Sequence, residues 1–126
     1  MGKDNHGIRV IGSGSVFSDT AISKNGSING NKIDLLSYRP IGYFSVRLTT
    51  VGAGQVDLTY EVSDDGVTWY TPVNFDQTSV QDVCTAHVAG SKVYPFYPVL
   101  APYVRLVATE DNTGSITSIS AEVFIQ

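Results

Sequence analysis

The sequence predicts an all-β fold, a two-sheet antiparallel β-sandwich or jelly roll of about seven to nine strands. Three observations lead there. Helical periodicity is nearly absent, β-branched and aromatic residues alternate with polar ones in short runs, and Gly, Asn, Asp and Pro punctuate those runs. At 126 residues and 42% hydrophobic, the chain has the size of one domain, and such a domain buries about two thirds of the surface its unfolded form exposes. Cys84 is the only cysteine, so an internal disulfide is ruled out and a reducing site of synthesis fits.

The first half-dozen residues are polar and glycine-containing, and residues 1–18 are expected to form an N-terminal arm or extended segment, with the sandwich domain occupying residues 19–126. In the arm, residues 8–11 and 15–17 are short extended pieces separated by Gly12 and Gly14. Asn25-Gly26 and Asn29-Gly30 mark turns, because both residue types accept positive φ at low cost. A strand over residues 32–36 follows. Next, Phe44, Val46 and Leu48 alternate with Tyr43, Ser45, Arg47 and Thr49, and Gly52-Ala53-Gly54 turns the chain into Val56, Leu58, Tyr60 and Val62. The natural reading is two paired antiparallel strands, each with one apolar face. Asp64-Asp65-Gly66 then closes a turn into residues 67–71, the third strand of a meander, which Pro72 ends. Residues 83–88 form a strand, with Gly90-Ser91 as its turn. Prolines at 95, 98 and 102 exclude a helix and a central strand over residues 94–102, leaving an ordered aromatic connection. Residues 103–109 and 118–125 are two more strands, joined by a hairpin loop at residues 110–114.

Charge narrows the function classes. Eight basic against twelve acidic side chains give a net charge of −4, and the basic ones are scattered. That leaves no electrostatic footprint for phosphate backbones, so no nucleic-acid partner is expected. No apolar stretch follows Lys3, so no signal peptide is expected, and His6 stands where a myristoylation pattern wants Ser or Thr. No run approaches the roughly 18 apolar residues of a spanning helix, and no membrane partner is expected.

No catalytic, cofactor-binding or metal-binding set emerges. Asp64, Asp65 and Gly66 begin like a calcium loop, but the later acidic ligands of an EF-hand are missing, and turn chemistry explains them. Glu110 and Asp111 form a second acidic tip, which could share an ion with the first only if the fold placed both at one end. His6 and His87 are the only histidines and lack zinc-ligand spacing. Cys84 and His87 are three apart, which along a regular strand places them on opposite faces and separates a thiol from its base. Gly12-Ser13-Gly14-Ser15 lacks the lysine and helix of a phosphate loop, and there is no Gly-x-Ser-x-Gly elbow. The chain is therefore expected not to be an enzyme. Trp69, the single tryptophan, is expected to plug the core.

Two groups suit protein contacts. Ile8, Val10, Ile11, Val16 and Phe17 are hard to place in one core and could add a strand to a neighbour's open sheet edge. Tyr94, Phe96 and Tyr97 are aromatics held among prolines, and a rigid aromatic cluster loses little entropy on binding. Capping one end of the sandwich is the competing role for the second group.

The stretch Val56-Asp-Leu-Thr-Tyr-Glu-Val-Ser-Asp-Asp-Gly-Val-Thr-Trp-Tyr70, with the later Ala101-Pro-Tyr-Val-Arg-Leu-Val-Ala-Thr109, resembles small β-sandwich structural proteins of tailed bacteriophage virions. In these, a strand ending in Ser-Asp-Gly-Thr-Trp-Tyr-like residues pairs with a later Tyr-Val-Arg strand. The resemblance covers residues 41–126. It implies a head decoration protein or a neck or tail accessory subunit, made in the bacterial cytoplasm and located in the virion. It also implies a homo-oligomer, with a trimer as the form expected, that binds other virion proteins such as the major capsid protein. The same strand-turn-Trp pattern occurs in sugar-binding sandwiches, so a lectin-like cell-surface recognition module is the alternative.

Overall fold

A computed structural model describes residues 9–10, 16–37, 44–73, 76–77, 82–96 and 101–125. Ten strands lie among them: β1 (Arg9–Val10), β2 (Phe17–Ile22), β3 (Ser27–Asn29), β4 (Ile33–Asp34), β5 (Phe44–Gly52), β6 (Val56–Ser63), β7 (Asp82–His87), β8 (Gly90–Phe96), β9 (Tyr103–Glu110) and β10 (Ile116–Ile125). A single 3-10 turn, Leu35–Ser37, follows β4. The first sheet runs β1-β10-β5-β8, with β2 also on β10; the second runs β3-β9-β6-β7, with β4 also on β9. All pairings are antiparallel. The chain changes sheet at six of the nine connections between these strands, and the two four-strand orders are those of a jelly roll.

Period-two patterning builds the core. Phe44, Val46 and Leu48 of β5, Val56, Leu58 and Tyr60 of β6, Val104, Leu106 and Ala108 of β9, and Ile119, Ala121 and Val123 of β10 are all buried between the sheets. Each fully buried aliphatic side chain contributes about 1.5–3 kcal/mol relative to exposure. Outward residues include Arg47, which pairs with Glu122 across β5 and β10. In β10 the register shifts between Ile116 and Ser118, so Ile116 and Ile119 both face inward despite their odd separation. Opposite this bulge sits Gly52 at φ +128°, where a Cβ would stand 2.6 Å from the Ser115 carbonyl oxygen. Only glycine fits there.

The expected local hairpins are corrected. β5 and β6 do not pair, nor do β9 and β10; each short turn carries the chain from one sheet to the other. Two strands with one apolar face each can meet edge to edge or face to face, and here the faces meet. The third meander strand is reduced to a single bridge, Val62 with Tyr70, while the Gly90 end of the expected turn and part of the aromatic connection belong to β8. Pro95 lies in that strand, which is at a sheet edge where a missing N–H is tolerated.

Candidate functional site

Three polar constructions stand out, and the first closes one end of the sandwich. Glu110 continues the inward parity of β9 and is fully buried. Its Oε1 accepts the N–H groups of Asn25 at 2.7 Å and Asn112 at 2.8 Å. Its Oε2 accepts the Thr113 hydroxyl at 2.9 Å and the N–H groups of Thr113, Gly114 and Gln55 at 3.0, 3.1 and 3.2 Å. One carboxylate thereby ties the β2–β3, β5–β6 and β9–β10 turns together. Burial alone would push this carboxyl up, but the donors from Asn25, Thr113 and Gln55 outweigh it and hold it at about 2. Gly54 lets the chain approach closely, since a Cβ there would stand 2.8 Å from Oε2.

The second construction closes one side. β7 and β8 are the edge strands of opposite sheets, and Tyr94 of β8 donates its hydroxyl to His87 Nδ1 at 2.6 Å. The rings meet edge to face, with centroids 5.7 Å apart. His87 Nε2 lies 3.2 Å from the Gly90 carbonyl, which only accepts, so Nε2 carries the proton. Cys84 is also a hydrogen-bond partner of the Tyr94 hydroxyl. The expected separation of Cys84 and His87 is therefore corrected. β6 places Val56 against His87 and Leu58 against Cys84, two residues against three, so β7 carries a bulge. Ala86, at φ 54°, is the non-glycine residue that makes it, and Asp57 Oδ1 holds its N–H at 2.8 Å. Burial pushes the Cys84 thiol and the Tyr94 phenol up and the His87 imidazole down. All three groups stay neutral near pH 7, the reverse of an activated thiolate–imidazolium pair.

The third is the loop after β6. Ser63 Oγ accepts the Gly66 N–H at 2.8 Å, and Asp65 Oδ1 accepts the N–H groups of Val67 at 2.8 Å and Thr68 at 2.9 Å. Those bonds from Thr68 and Val67, with the Ser63 hydroxyl, pull the Asp65 carboxyl below its usual range. Two backbone bonds between Val62 and Tyr70 close the loop. Trp69 is half-buried and not a core plug as expected: the guanidinium of Arg105 lies 4.5 Å from its ring centroid. Arg105 is held from the other side by Glu61 at 2.7 Å, directly across the β6–β9 ladder. The loop presents Val67, Tyr70 and Val73, which are 80%, 55% and 50% exposed.

The expected contact residues divide. Val16 and Phe17 are 2% and 3% exposed in this chain's own core, which removes them from an exposed interface set. β2 crosses the expected boundary at residue 18 and pairs with β10 of the same chain, filling the sheet edge that a neighbour's strand was expected to need. Val10 pairs with Phe124 through β1. Tyr94 turns inward to His87, and Phe96 pairs with Phe44 at the end of β8. Ile8, Ile11, Tyr97 and His6 lie outside the described residues. The two acidic tips sit at opposite ends of the β6–β9 pair, since Ser63 opposes Tyr103 while Val56 opposes Glu110. The sequence reading placed Glu110 at an acidic hairpin tip, although its parity with Val104, Leu106 and Ala108 marks it as inward.

No family model and no curated protein matches this chain. Among solved structures, it is similar to the infectious bursal disease virus VP2 subviral particle, at 16% identity and a TM-score of 0.47, over 94% of this chain and 32% of that chain. A structure of the Gt strain of the same virus gives 14% identity and a TM-score of 0.46, over 94% and 33%. A family 89 glycoside hydrolase from Clostridium perfringens gives 13% identity and a TM-score of 0.38, over 91% and 14%. The chain spans about a third of the length of the viral structures it matches.

Proposed function

We propose that this chain is a non-enzymatic structural subunit of a virus particle, acting through protein–protein contacts. The finer reading is a head decoration or neck or tail accessory subunit of a tailed bacteriophage, assembled as a homo-oligomer on other virion proteins. One observation carries it. The two segments whose residues resemble phage sandwich proteins fold into a single unit, with β6 and its loop lying against β9 and Trp69 on Arg105. Within that unit the polar atoms of Ser63, Asp65, Glu61 and Arg105 are bonded internally, whereas Val67, Tyr70 and Val73 are exposed on a loop that is already ordered. Apolar side chains on a preorganised loop lose little freedom on docking, the arrangement expected of a contact surface. Jelly rolls recur in viral coats and in lectins alike, so the fold by itself does not choose between them.

The test is direct. Particles purified from cells producing the genome that encodes this chain are banded on a density gradient, washed and digested for peptide mass spectrometry. The chain should band with the particles in a fixed ratio to the coat subunit. Its absence from washed particles sinks the proposal. Light scattering on the purified full chain tests the oligomer separately, a monomer at high concentration counting against it.

A further inference from the structure

We infer that the Cys84–Tyr94–His87 chain is an acid-sensitive clasp between the two sheets, released when His87 takes up a second proton. Tyr94 and His87 sit on the edge strands of opposite sheets, so their 2.6 Å bond crosses the seam along that side of the sandwich. The bond has a fixed direction. Gly90 O requires a proton on Nε2, which leaves Nδ1 as the lone pair that receives the Tyr94 hydroxyl. A proton on Nδ1 reverses the bond and places a cation on a residue only 2% exposed.

The surroundings offer that cation the Gly90 carbonyl and the reversed Tyr94 bond but no counter-ion. From β8 the groups facing it are the Tyr94 hydroxyl and the Lys92 ammonium, whose like charge opposes protonation. From β7 there is the Cys84 thiol, and from β6 Asp57, whose Oδ1 already holds Ala86 N–H. From β9 the nearest acid is Glu110, beyond Val56 in the same lateral row, with six donors on its two oxygens. No carboxylate among the described residues forms an ion pair with the ring. Opening the corner hydrates the imidazolium and also relaxes Ala86 from its left-handed conformation. Linkage then has one sign: the open corner binds the proton more tightly than the closed one, so acid favours opening.

Cys84 reports on the clasp, because its half-buried thiol is a partner of Tyr94. The full chain is reacted with 4,4′-dithiodipyridine, which modifies thiols in acid, between pH 7.5 and 4.5, with each rate divided by that of free cysteine at the same pH. The normalised rate should rise about tenfold or more below the ordinary imidazole range, with far-ultraviolet circular dichroism unchanged. In His87→Gln, which keeps an acceptor for Tyr94 and a donor for Gly90 but cannot be protonated, that step should vanish. A flat wild-type profile, or an equal step in His87→Gln, overturns the inference. An independent measurement on wild type follows the His87 ring protons and the amide exchange of Val93 and Tyr94 by NMR across the same range. His87 protonation without faster exchange in β8 also overturns it.

Discussion

Two buried polar clusters share one lateral row of the sandwich, with Val56 between His87 on one side and Glu110 on the other, yet they hold opposite states. Glu110 keeps its charge and His87 does not. Both are buried and both suffer the desolvation that penalises a charged form. The difference lies in what converges on them. Six donors from three turns reach the carboxylate, whereas the imidazole has one donor, one acceptor and a neighbouring ammonium. Burial sets the cost of a charge, and the local donor set decides whether the charge survives it. One cluster is thus a permanent knot and the other a bond that protonation can reverse.

The sharpest way to break the comparison is at Glu110. Glu110→Ala leaves the N–H groups of Asn25, Asn112, Thr113 and Gly114 without this acceptor, leaves Gln55 N–H only the Thr113 hydroxyl, and loosens three turns at once. Its melting midpoint should fall by about 10 °C or more, the largest drop of any single polar substitution proposed for this chain. A near-neutral result by scanning calorimetry would mean that the turns are held by their backbone bonds alone.

Tyr94→Phe tests the other cluster. Removing one hydroxyl orphans His87 Nδ1, and an unpaired buried acceptor costs about 1–3 kcal/mol. The loss should be visible in denaturant titration and smaller than that of Glu110→Ala. An equal or larger loss would reverse the ranking of knot and clasp.

Acid separates the two clusters along one axis. His87 has a folded-state value below its unfolded one, so stability is full above about pH 6.5 and declines as pH falls through the window below it. Glu110 is depressed to about 2, so its contribution is full above the ordinary carboxylate range and declines as pH falls towards about 2. Denaturation midpoints measured from pH 8 to 2 should therefore fall in two stages, and His87→Gln should remove the first alone. A single stage in the wild type would contradict the contrast.

How much of this was readable beforehand varies by element. The alternation in β5 and β6 identifies their inward residues, because a strand has a strict period of two. It does not say whether consecutive strands pair or face one another, since both arrangements bury the same residues. That choice comes from how five strands per sheet share a core, a property of the whole chain. Glu110 carried a readable signal in its parity, overridden by its position at an acidic tip. The Cys84–His87 cluster carried none: an ordinary alanine in a left-handed conformation creates the bulge, and nothing about Ala86 in the sequence announces it.

Trp69 gives the smallest effect and the cleanest correction. A tryptophan filling the core would cost about 3–5 kcal/mol on truncation to alanine. Here the ring is half-buried on the outer face of the second sheet, and its specific partner is the Arg105 guanidinium, an arrangement worth about 0.5–1 kcal/mol where solvent is near. Trp69→Ala should therefore cost about 1–2 kcal/mol, since some ring area is still removed from water. Because this is the only tryptophan, its fluorescence reports on this place alone, and acrylamide should quench it in the folded state. Arg105→Leu, which removes the cation but keeps an apolar stem, should change the emission while leaving the fold intact. A loss near the core range, together with protection from quencher, would place the ring back inside the sandwich and remove the exposed loop's support on β9.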